Sequence, residues 1–600
     1  MFSFSLLSLV ILLALGATAE PLRKAAVRDH GWTRQFLAPR DGRMKLHIAL
    51  RQDDGGSEVE RQLLAVSHPD SPQFRQHLSP EQAATLSTPA HGSVHSVEYW
   101  LWKYGLLKDA SLFAGIYEID TTIRSAEKLL NTTYFVWTDG EREVTRTELF
   151  YLQDSVAGHI DFVAPTTSFP RRKASKEPDQ LSRGINSAQR AVQARQLNER
   201  AECGANSFVT PTCIRQAYQI NHQAQPNRTT FAVYGTEAAS FSSSDLHTYL
   251  QRYNTPATEA KAQYEVVGTN GGSGFTAKFE TALDTQTLLG LAWPAHGILY
   301  NNGGVFGPHP GTTYDPFVQF LQELITNRTV PSVVSFSESM PENQLDPAYA
   351  KRLCNMMGQV GARGVSLLFS SGDNGPNGDQ PTGKHEQIFE TEFPASCPWV
   401  TAVGGTTNLA AETAATQDTI SVVGKLGYTA SGGGFSSLFS APDYQKSMVE
   451  SYTSKHVPAS YSSVQGFNAK GRGVPDVSAF STNFPTVVDY ITFPVGGTSA
   501  STPLWAGIVA LLNDYEAEKG RQPLGFLNPW LYSLDTGLKD ITTGGNNAGS
   551  CSLLAGCTLA KTVGYNVTEG YDPVTGLGSP VLSELTKALD AIAEKTLAAS

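Results

Sequence analysis

The feature that most constrains the fold is a regular alternation of short apolar segments with segments of helical period beyond Cys203. The six predicted strands are TFAVYG, QYEVVG, HGILYNN, PSVVSFS, GVSLLFSSG and WVTAVGG. The intervening segments predicted to be helices include FTAKFETALDTQTLLGLA and LDPAYAKRLCNMMGQVGARG. Because strands that alternate with helices form mainly parallel sheets covered on both faces, the pattern predicts an α/β domain. Functional side chains of such domains lie in the loops that follow the strands.

The length of 600 residues predicts at least two domains. Residues 20–169 are predicted to form a smaller α/β unit, with a strand at KLHIAL and a helix at SEVERQLLAVS. The polar and basic stretch 170–200 is predicted to be an exposed linker, because it has many charges and few large apolar side chains. Its RRK run is either a processing site or a solvated charge cluster. The strand-and-helix domain occupies residues 201–600.

The N-terminus predicts export. Residues 1–19 carry the apolar run SLLSLVILLALG followed by ATA, which is typical of a cleaved signal peptide, and no later segment has the ~20 apolar residues of a membrane span. In an oxidising compartment the six cysteines allow three disulfides, and short separations favour Cys203–Cys213 and Cys551–Cys557, leaving Cys354–Cys397. The sequons predict glycosylation at Asn131, Asn227, Asn327 and Asn566. The net charge of -11 argues against nucleic acid or an anionic membrane as a partner.

A candidate nucleophile lies in GGTSASTP, between the strand-like VVDYITFPV and a helix predicted to run through Tyr515. Glycines permit a close approach, and Ser499 lies at a helix N-terminus, where negative charge is stabilised. The alternative is that Ser499 is an N-cap. The motif is similar to that of subtilisins, which require a histidine in an HGT context. Neither His91 nor His296 has that context, so a histidine base is not expected.

Three carboxylates are candidates for the missing base and for an oxyanion donor. Glu280 and Asp284 are four residues apart on a predicted helix, and therefore on one face, with apolar neighbours. Two partly buried carboxylates cannot both ionise easily, so one pKa is raised and the pair can accept a proton. Asp373 follows a predicted strand in SSGD, where a protonated carboxyl could donate to an oxyanion. The alternative for Glu280 and Asp284 is an acidic pair on the surface, and the alternative for Asp373 is an aspartate that only stabilises a turn.

Together these motifs resemble the sedolisins, the serine-carboxyl peptidases with a subtilisin-like fold. The resemblance implies that Ser499 is the nucleophile, Glu280 the general base and Asp284 the acid behind it. Asp373 would stabilise the oxyanion together with the Ser499 N–H. Glu237, in VYGTEAASF, would be a further carboxylate linked to Glu280.

The resemblance extends along the chain. Residues 20–169, with SHPDSPQFRQHLSPEQ and HIDFVAPTTSF, are similar to the sedolisin activation prodomain, which implies a zymogen whose prodomain is an intramolecular inhibitor or folding aid. The SGGG run at Ser431, Gly432 and Gly433 either pairs with the substrate backbone or is a flexible turn. A family calcium site for one ion would use the Asp540 and Asp572 carboxylates and the backbone carbonyls of Ile541, Thr568 and Gly570. Without the resemblance, these residues would predict two Asp-Gly turns and no metal site.

The function implied is that of a secreted, acid-acting serine-carboxyl peptidase of polypeptides, acting as a monomer. Its prodomain and the first residues of its peptidase domain, from Cys203 to Cys213, resemble those of secreted tripeptidyl peptidases, which release tripeptides from free N-termini. The alternatives are an endopeptidase of the same family and a catalytically silent secreted protein of the same fold.

Overall fold

A computed structural model describes most of the chain: residues 22–26, 32–138, 143–169, 203, 207–235, 241–268, 275–301, 315–378, 388–422, 425–547, 551–552 and 563–599. The predicted signal peptide at residues 1–19, the predicted linker at 170–200 and Glu237 lie outside these residues.

The N-terminal unit is built on a four-stranded antiparallel sheet whose order is β4-β5-β3-β9. The predicted strand KLHIAL lies within β3, and the predicted helix SEVERQLLAVS is α1. The strands are β1 (Leu22–Ala26), β2 (Thr33–Leu37), β3 (Arg43–Leu50), β4 (Ala110–Phe113), β5 (Ile116–Thr122), β6 (Tyr134–Thr138), β7 (Glu143–Thr147), β8 (Leu149–Gln153) and β9 (Ile160–Ala164). The helices are α1 (Ser57–Ser67), α2 (Pro80–Thr85), α3 (Ser93–Lys103), α4 (Ile123–Leu129) and α5 (Asp154–Ala157).

The larger unit is built on an eight-stranded sheet, which contains all six strands predicted from the apolar runs. Its order is β11-β12-β10-β13-β15-β17-β18, with β23 also paired to β17, and every pairing except β17 with β18 is parallel. The strands of this sheet are β10 (Thr230–Tyr234), β11 (Tyr264–Gly268), β12 (His296–Asn301), β13 (Val333–Phe336), β15 (Ser366–Ser370), β17 (Thr401–Thr407), β18 (Thr413–Ala414) and β23 (Val477–Phe480). The predicted parallel α/β sheet is therefore confirmed.

Helices cover both faces of this sheet. The helices of the larger unit are α6 (Pro211–Ala217), α7 (Ser243–Tyr253), α8 (Thr255–Glu259), α9 (Phe275–Ala292), α10 (Pro316–Thr326), α11 (Pro347–Ala362), α12 (Asp443–His456), α13 (Thr498–Glu518), α14 (Asn528–Leu531) and α15 (Leu582–Ala599). Alternate residues of β10 separate two cores: Phe231 and Val233 pack with α9 and α13, whereas Ala232 and Tyr234 pack with α10 and α11. Period-two alternation in a strand has this consequence when both faces are buried.

Four antiparallel pairs and one three-stranded antiparallel sheet, among the described residues, complete the larger unit. They are formed by β14 (Met340–Pro341), β16 (Glu392–Phe393), β19 (Thr416–Val422), β20 (Lys425–Ala430), β21 (Gly434–Ser440), β22 (Gly471–Val474), β24 (Phe484–Val488), β25 (Ile491–Val495), β26 (Leu538–Lys539), β27 (Cys551–Ser552) and β28 (Ser579–Pro580). The predicted single strand VVDYITFPV is wrong: it is the hairpin β24–β25, with a turn at Asp489 and Tyr490, whose φ angles are 49° and 65°. The Asp245 carboxylate accepts both N–H groups of this turn. The sequence pattern alone does not show this turn, because the residue that stabilises it, Asp245, is far away along the chain.

Two of the predicted disulfides are confirmed. Cys203 is bonded to Cys213, and Cys354 is bonded to Cys397. Cys557 lies outside the described residues, so its predicted bond to Cys551 stays a prediction. The four sequon asparagines are exposed, as glycosylation requires; they are Asn131, Asn227, Asn327 and Asn566.

The N-terminal unit packs against α11 and shares one hydrophobic core with it. Arg75 forms an ion pair with the fully buried Glu516 of α13, and the Leu78 N–H donates to the Ala362 carbonyl at 2.9 Å. Gln359 of α11 accepts a hydrogen bond from the Ser87 hydroxyl at 2.6 Å. Glu516 is also paired with Arg521 of its own unit at 3.2 Å, so Arg75 adds a second cation to a carboxylate that is already paired.

His77 fills a close-packed position in this interface. Its ring occupies space beside Gly364 and Gly525, where an added Cβ would lie 2.6 and 2.8 Å from ring atoms. Its Nε2 lies 2.8 Å from the Pro523 carbonyl, and its buried Nδ1 has no hydrogen-bond partner among the residues described. Burial lowers the pKa of His77, the bond to Pro523 opposes this, and the charge of Arg75 lowers the pKa further. The docked state therefore favours neutral His77.

We expect docking of the N-terminal unit to weaken as the pH falls from about 7 to about 5. The ordinary pKa of histidine is about 6.5 and the docked value is lower, so the undocked form gains a proton first. Glu60 and Asp161, whose pKa values are raised mainly by burial, respond in the opposite direction. Amide hydrogen exchange of α1 and α11, corrected for intrinsic rates, measures the effect in a Ser499→Ala background that prevents self-cleavage.

The matched control is His77→Gln, which keeps a side-chain donor for the Pro523 carbonyl but does not titrate. Its exchange rates are expected to change less between the two pH values than those of the native interface. Equal responses in both proteins would show that His77 does not sense pH.

Candidate active site

Ser499 lies in the first turn of α13, directly after the hairpin β24–β25. The N-cap of α13 is Gly497, with a φ of 119°, so the alternative that Ser499 is the N-cap is wrong. A Cβ at Gly497 would lie 2.6 Å from Oδ2 of Asp373, which explains why glycine is required there. Ser499 is 9% exposed, so its hydroxyl lies at the edge of the core beside the N–H groups of a helix N-terminus. The helix extends beyond the predicted Tyr515 to Glu518.

Asp373 lies at the same helix N-terminus. It follows β15 after two intervening residues, is half-buried, and accepts from the Thr498 N–H at 2.7 Å and the Thr498 hydroxyl at 3.0 Å. Both of these bonds use Oδ1. The structure therefore brings the predicted oxyanion residue beside the predicted nucleophile, although they are far apart in sequence.

Asp284 and Glu280 lie one turn apart on α9, which packs along α13. Asp284 is 1% exposed and Glu280 is half-buried. Burial raises the pKa of Asp284 well above its usual value, and the negative charge of Glu280 raises it further. The Ser337 hydrogen bond acts in the opposite direction, and the Glu338 charge raises the pKa again. The surroundings therefore favour a proton on the deeper Asp284, next to the less buried carboxyl of Glu280.

Ser337 connects this pair with the nucleophile. Its Oγ donates to Oδ1 of Asp284 at 2.8 Å, and Oγ of Ser499 donates to the Ser337 carbonyl at 3.5 Å. Sequence reasoning missed Ser337. It is the first residue after β13, so the rule that functional side chains follow parallel strands could have identified it.

The SGGG run packs against the loop that carries Asp373. The close approach of this loop requires Gly432, because a Cβ there would collide with the backbone of Ser371. The three N–H groups of Ser431, Gly432 and Gly433 donate to internal carbonyls, which are those of Ala415, Gly372 and Gly375. A substrate backbone therefore finds no N–H donor in this run as folded, and the predicted pairing depends on carbonyl oxygens.

The residues predicted to bind calcium form one cluster near the C-terminus. Oδ2 of Asp540 accepts the Gly570 N–H at 2.8 Å, and Oδ2 of Asp572 accepts the Thr568 N–H at 3.2 Å. Oδ1 of Asp540 is buried and has no hydrogen-bond partner in the part of the chain described. Burial raises the pKa of Asp572 to about 7, and it raises the pKa of Asp540 as well. Ile541 is buried beside Asp540.

This donor set fits a hard cation. Among the described residues, neither the buried Asp572 nor the half-buried Asp540 forms an ion pair with a cationic side chain, so both are costly to ionise. Carboxylate and carbonyl oxygens are the ligands that calcium prefers. Thr568 has no positive φ, unlike Gly570 with a φ of 82°, so a threonine is accommodated at position 568.

Comparisons with known proteins place the chain among peptidases. Residues 30–169 match the model of the Pro-kumamolisin activation domain, and residues 328–523 match that of the subtilase family. A probable tripeptidyl-peptidase SED2 of Trichophyton verrucosum is 31% identical over 97% of this chain and 100% of its own length. Tripeptidyl-peptidase sed4 of Aspergillus fumigatus is 31% identical over 96% and 97%. Human tripeptidyl-peptidase 1 is 32% identical over 93% and 94%.

Among solved structures, Pseudomonas sedolisin, a serine-carboxyl proteinase complexed with pseudo-iodotyrostatin, is 22% identical. The match covers 64% of this chain and 98% of that one, with a TM-score of 0.47.

The Asp284 environment predicts a rate of peptide cleavage that falls as the pH rises towards neutrality and beyond. Once the pair loses its proton, two negative charges lie one turn apart. The measurement is a profile of kcat/KM against pH, with an optimum expected below neutrality.

As the control, samples are incubated at each pH and then assayed at the optimum, which separates reversible titration from unfolding. A reversible optimum on the alkaline side would contradict the proposed protonation states.

Proposed function

The chain belongs to the sedolisin family of serine-carboxyl peptidases, and on that premise we propose that it is an exported tripeptidyl peptidase zymogen. It would release tripeptides from the free N-termini of polypeptides. The observation that carries this proposal is the match of the whole chain, activation domain included, to relatives named tripeptidyl-peptidase. The arrangement of Asp284, Ser337 and Ser499 supports the chemistry.

The proposed reaction is acyl transfer through Ser499. Oγ of Ser499 attacks the scissile carbonyl while its proton passes to the Glu280 carboxylate, and Asp284 retains its own proton behind the base. The oxyanion receives hydrogen bonds from the Ser499 N–H and from a protonated Asp373. The proton on Glu280 then passes to the leaving amine. The same carboxylate next takes a proton from a water molecule, which attacks the acyl carbonyl, and this proton returns to Oγ of Ser499 as the acid product leaves.

The N-terminal unit is proposed to act as an intramolecular inhibitor or folding aid. It supplies α1 and the Arg75 side chain to a core shared with the peptidase unit. Such an interface stabilises the docked state until cleavage in the segment at residues 170–200 frees the two units to separate.

We also propose one calcium ion at the C-terminal cluster, held by the carboxylates of Asp540 and Asp572 and by the carbonyls of Ile541, Thr568 and Gly570. The buried, unpartnered Oδ1 of Asp540 supports this proposal. A bound calcium ion supplies positive charge that neutralises these carboxylates. The chain's own part is to join Asp540 to the loop 568–572 through the Gly570 N–H, and to close that loop through the Thr568 N–H, which donates to Asp572.

Export is proposed from the apolar segment at residues 1–19 and from the four exposed sequons. Among the residues described, no helix combines the length and the apolar character needed to cross a membrane.

The decisive measurement is mass spectrometry of the products from one peptide with a free N-terminus and the same peptide acetylated. At acidic pH we expect the mass of the N-terminal tripeptide and of the shortened remainder from the free peptide, and no change in the acetylated one. Ser499→Ala is expected to lower the rate on the order of 10⁶-fold, because the nucleophile is lost. Internal cleavage of both peptides would instead identify an endopeptidase, and cleavage of neither would contradict the proposal.

Chelation tests the calcium proposal. In the Ser499→Ala protein, EGTA is expected to lower Tm, because a ligand at about 100 times its Kd contributes roughly 2.7 kcal/mol to the free energy of unfolding. Calcium should restore Tm, and magnesium should restore less of it. The control is Asp540→Asn, which is expected to have a lower Tm that no longer responds to EGTA. A native Tm that does not change with EGTA would contradict the site.

A further inference from the structure

Ser337 lies where three elements of the peptidase unit meet. It is the first residue after β13, which is a central strand of the parallel sheet between β10 and β15. The side chain is 8% exposed. It faces α9, which carries the carboxylate pair, and the first turn of α13, which carries the nucleophile.

The Ser337 hydroxyl has one strong acceptor. Its Oγ lies 2.8 Å from Oδ1 of Asp284 and 3.4 Å from the Ser499 carbonyl, so its single proton is directed mainly to the carboxyl. The Ser337 carbonyl also lies 3.5 Å from Oγ of Ser499. One residue therefore touches both the acid and the nucleophile, which come from different helices.

We propose that Ser337 is a positioning residue for the peptidase reaction: its hydroxyl holds the Asp284 carboxyl, and its carbonyl lies next to the Ser499 hydroxyl. This inference rests on the proposed function. It assigns Ser337 no contact with the substrate, since its action is transmitted through Asp284 and Ser499.

The hydrogen bond also has a predictable effect on protonation. Donation from Ser337 stabilises the ionised form of Asp284, so it offsets part of the rise in the Asp284 pKa that burial causes. Without this donor the pKa of Asp284 rises further, and the pair keeps its proton to higher pH. The alkaline limb of the pH profile therefore moves to higher pH when the hydroxyl is removed. A residue with a purely structural role would not move that limb.

The same strand provides a matched control. Ser335 is two residues earlier in β13, is 0% exposed, and its hydroxyl has no hydrogen-bond partner among the described residues. Ser335→Ala therefore removes an equally buried hydroxyl from the same strand without breaking a hydrogen bond. Its kcat and pH profile are expected to be native.

The test compares peptide hydrolysis by S337A, S337T, S337V and S335A with that of the native enzyme. S337A is expected to lower kcat about 2- to 10-fold, since a hydrogen bond between neutral groups contributes roughly 0.5–1.5 kcal/mol. Its alkaline limb should move to higher pH, with a smaller change in KM. S337T keeps the hydroxyl and should retain the native limb and most of the activity.

S337T and S337V have the same shape and differ in the hydroxyl, so their comparison remains valid if S337A folds poorly. The proposal would be overturned if the alkaline limb of the S337V pH profile stayed at its native position or if kcat of S337A were native. A decrease in kcat of S335A equal to that of S337A would also overturn it. These outcomes differ from a failure of the proposed function, in which the native enzyme itself cleaves no peptide.

Discussion

The burial of α13 is the constraint on which the rest of the structure depends. The helix is buried from Thr498 to Asp514 and contacts β10, β13, β15, β17 and β23 of the sheet as well as α9. A buried helix N-terminus presents N–H groups that must find partners. Here the Asp373 carboxylate accepts the Thr498 N–H, and the Ser337 carbonyl accepts the Ser499 hydroxyl. The first bond satisfies an N–H group of the helix end, and the two bonds together place residues that follow two different strands beside one serine.

The same burial explains why acid chemistry suits this site. Asp284 lies in a close-packed contact between α9 and α13, where a charge is poorly solvated and Glu280 already contributes a negative charge. A carboxyl in such surroundings keeps its proton well beyond its ordinary range. Burying the Asp284 carboxyl costs free energy. Apolar packing offsets this cost, because Phe279 and Leu283 of α9 lie in the same hydrophobic core as α13. The contact between α9 and α13 therefore contributes both to the stability of the core and to the protonation of Asp284.

The N-terminal unit and the larger unit of the chain are held together by both apolar and polar buried contacts. Their interface combines an apolar core around α11 with the ion pair of Arg75 and Glu516 and the close-packed ring of His77. Apolar contacts are insensitive to pH, whereas a buried imidazole is not. Protonation of His77 is the component of this interface that acid weakens, whereas the half-buried carboxyls of Glu60 and Asp161 respond in the opposite direction.

Much of the architecture was determined by the sequence alone. The strands of the parallel sheet, helix α9 and the spacing of Glu280 and Asp284 follow from periodicities of 2 and 3.6 residues, which the backbone imposes locally. Tertiary structure decided the partners of Ser337, which are 53 and 162 positions away, the cap at Gly497 and the internal use of the SGGG N–H groups. It also divided VVDYITFPV into a hairpin through the distant Asp245. The physical reason is that periodicity reports which face of an element is buried, whereas these contacts depend on how buried faces from distant parts of the chain pack together.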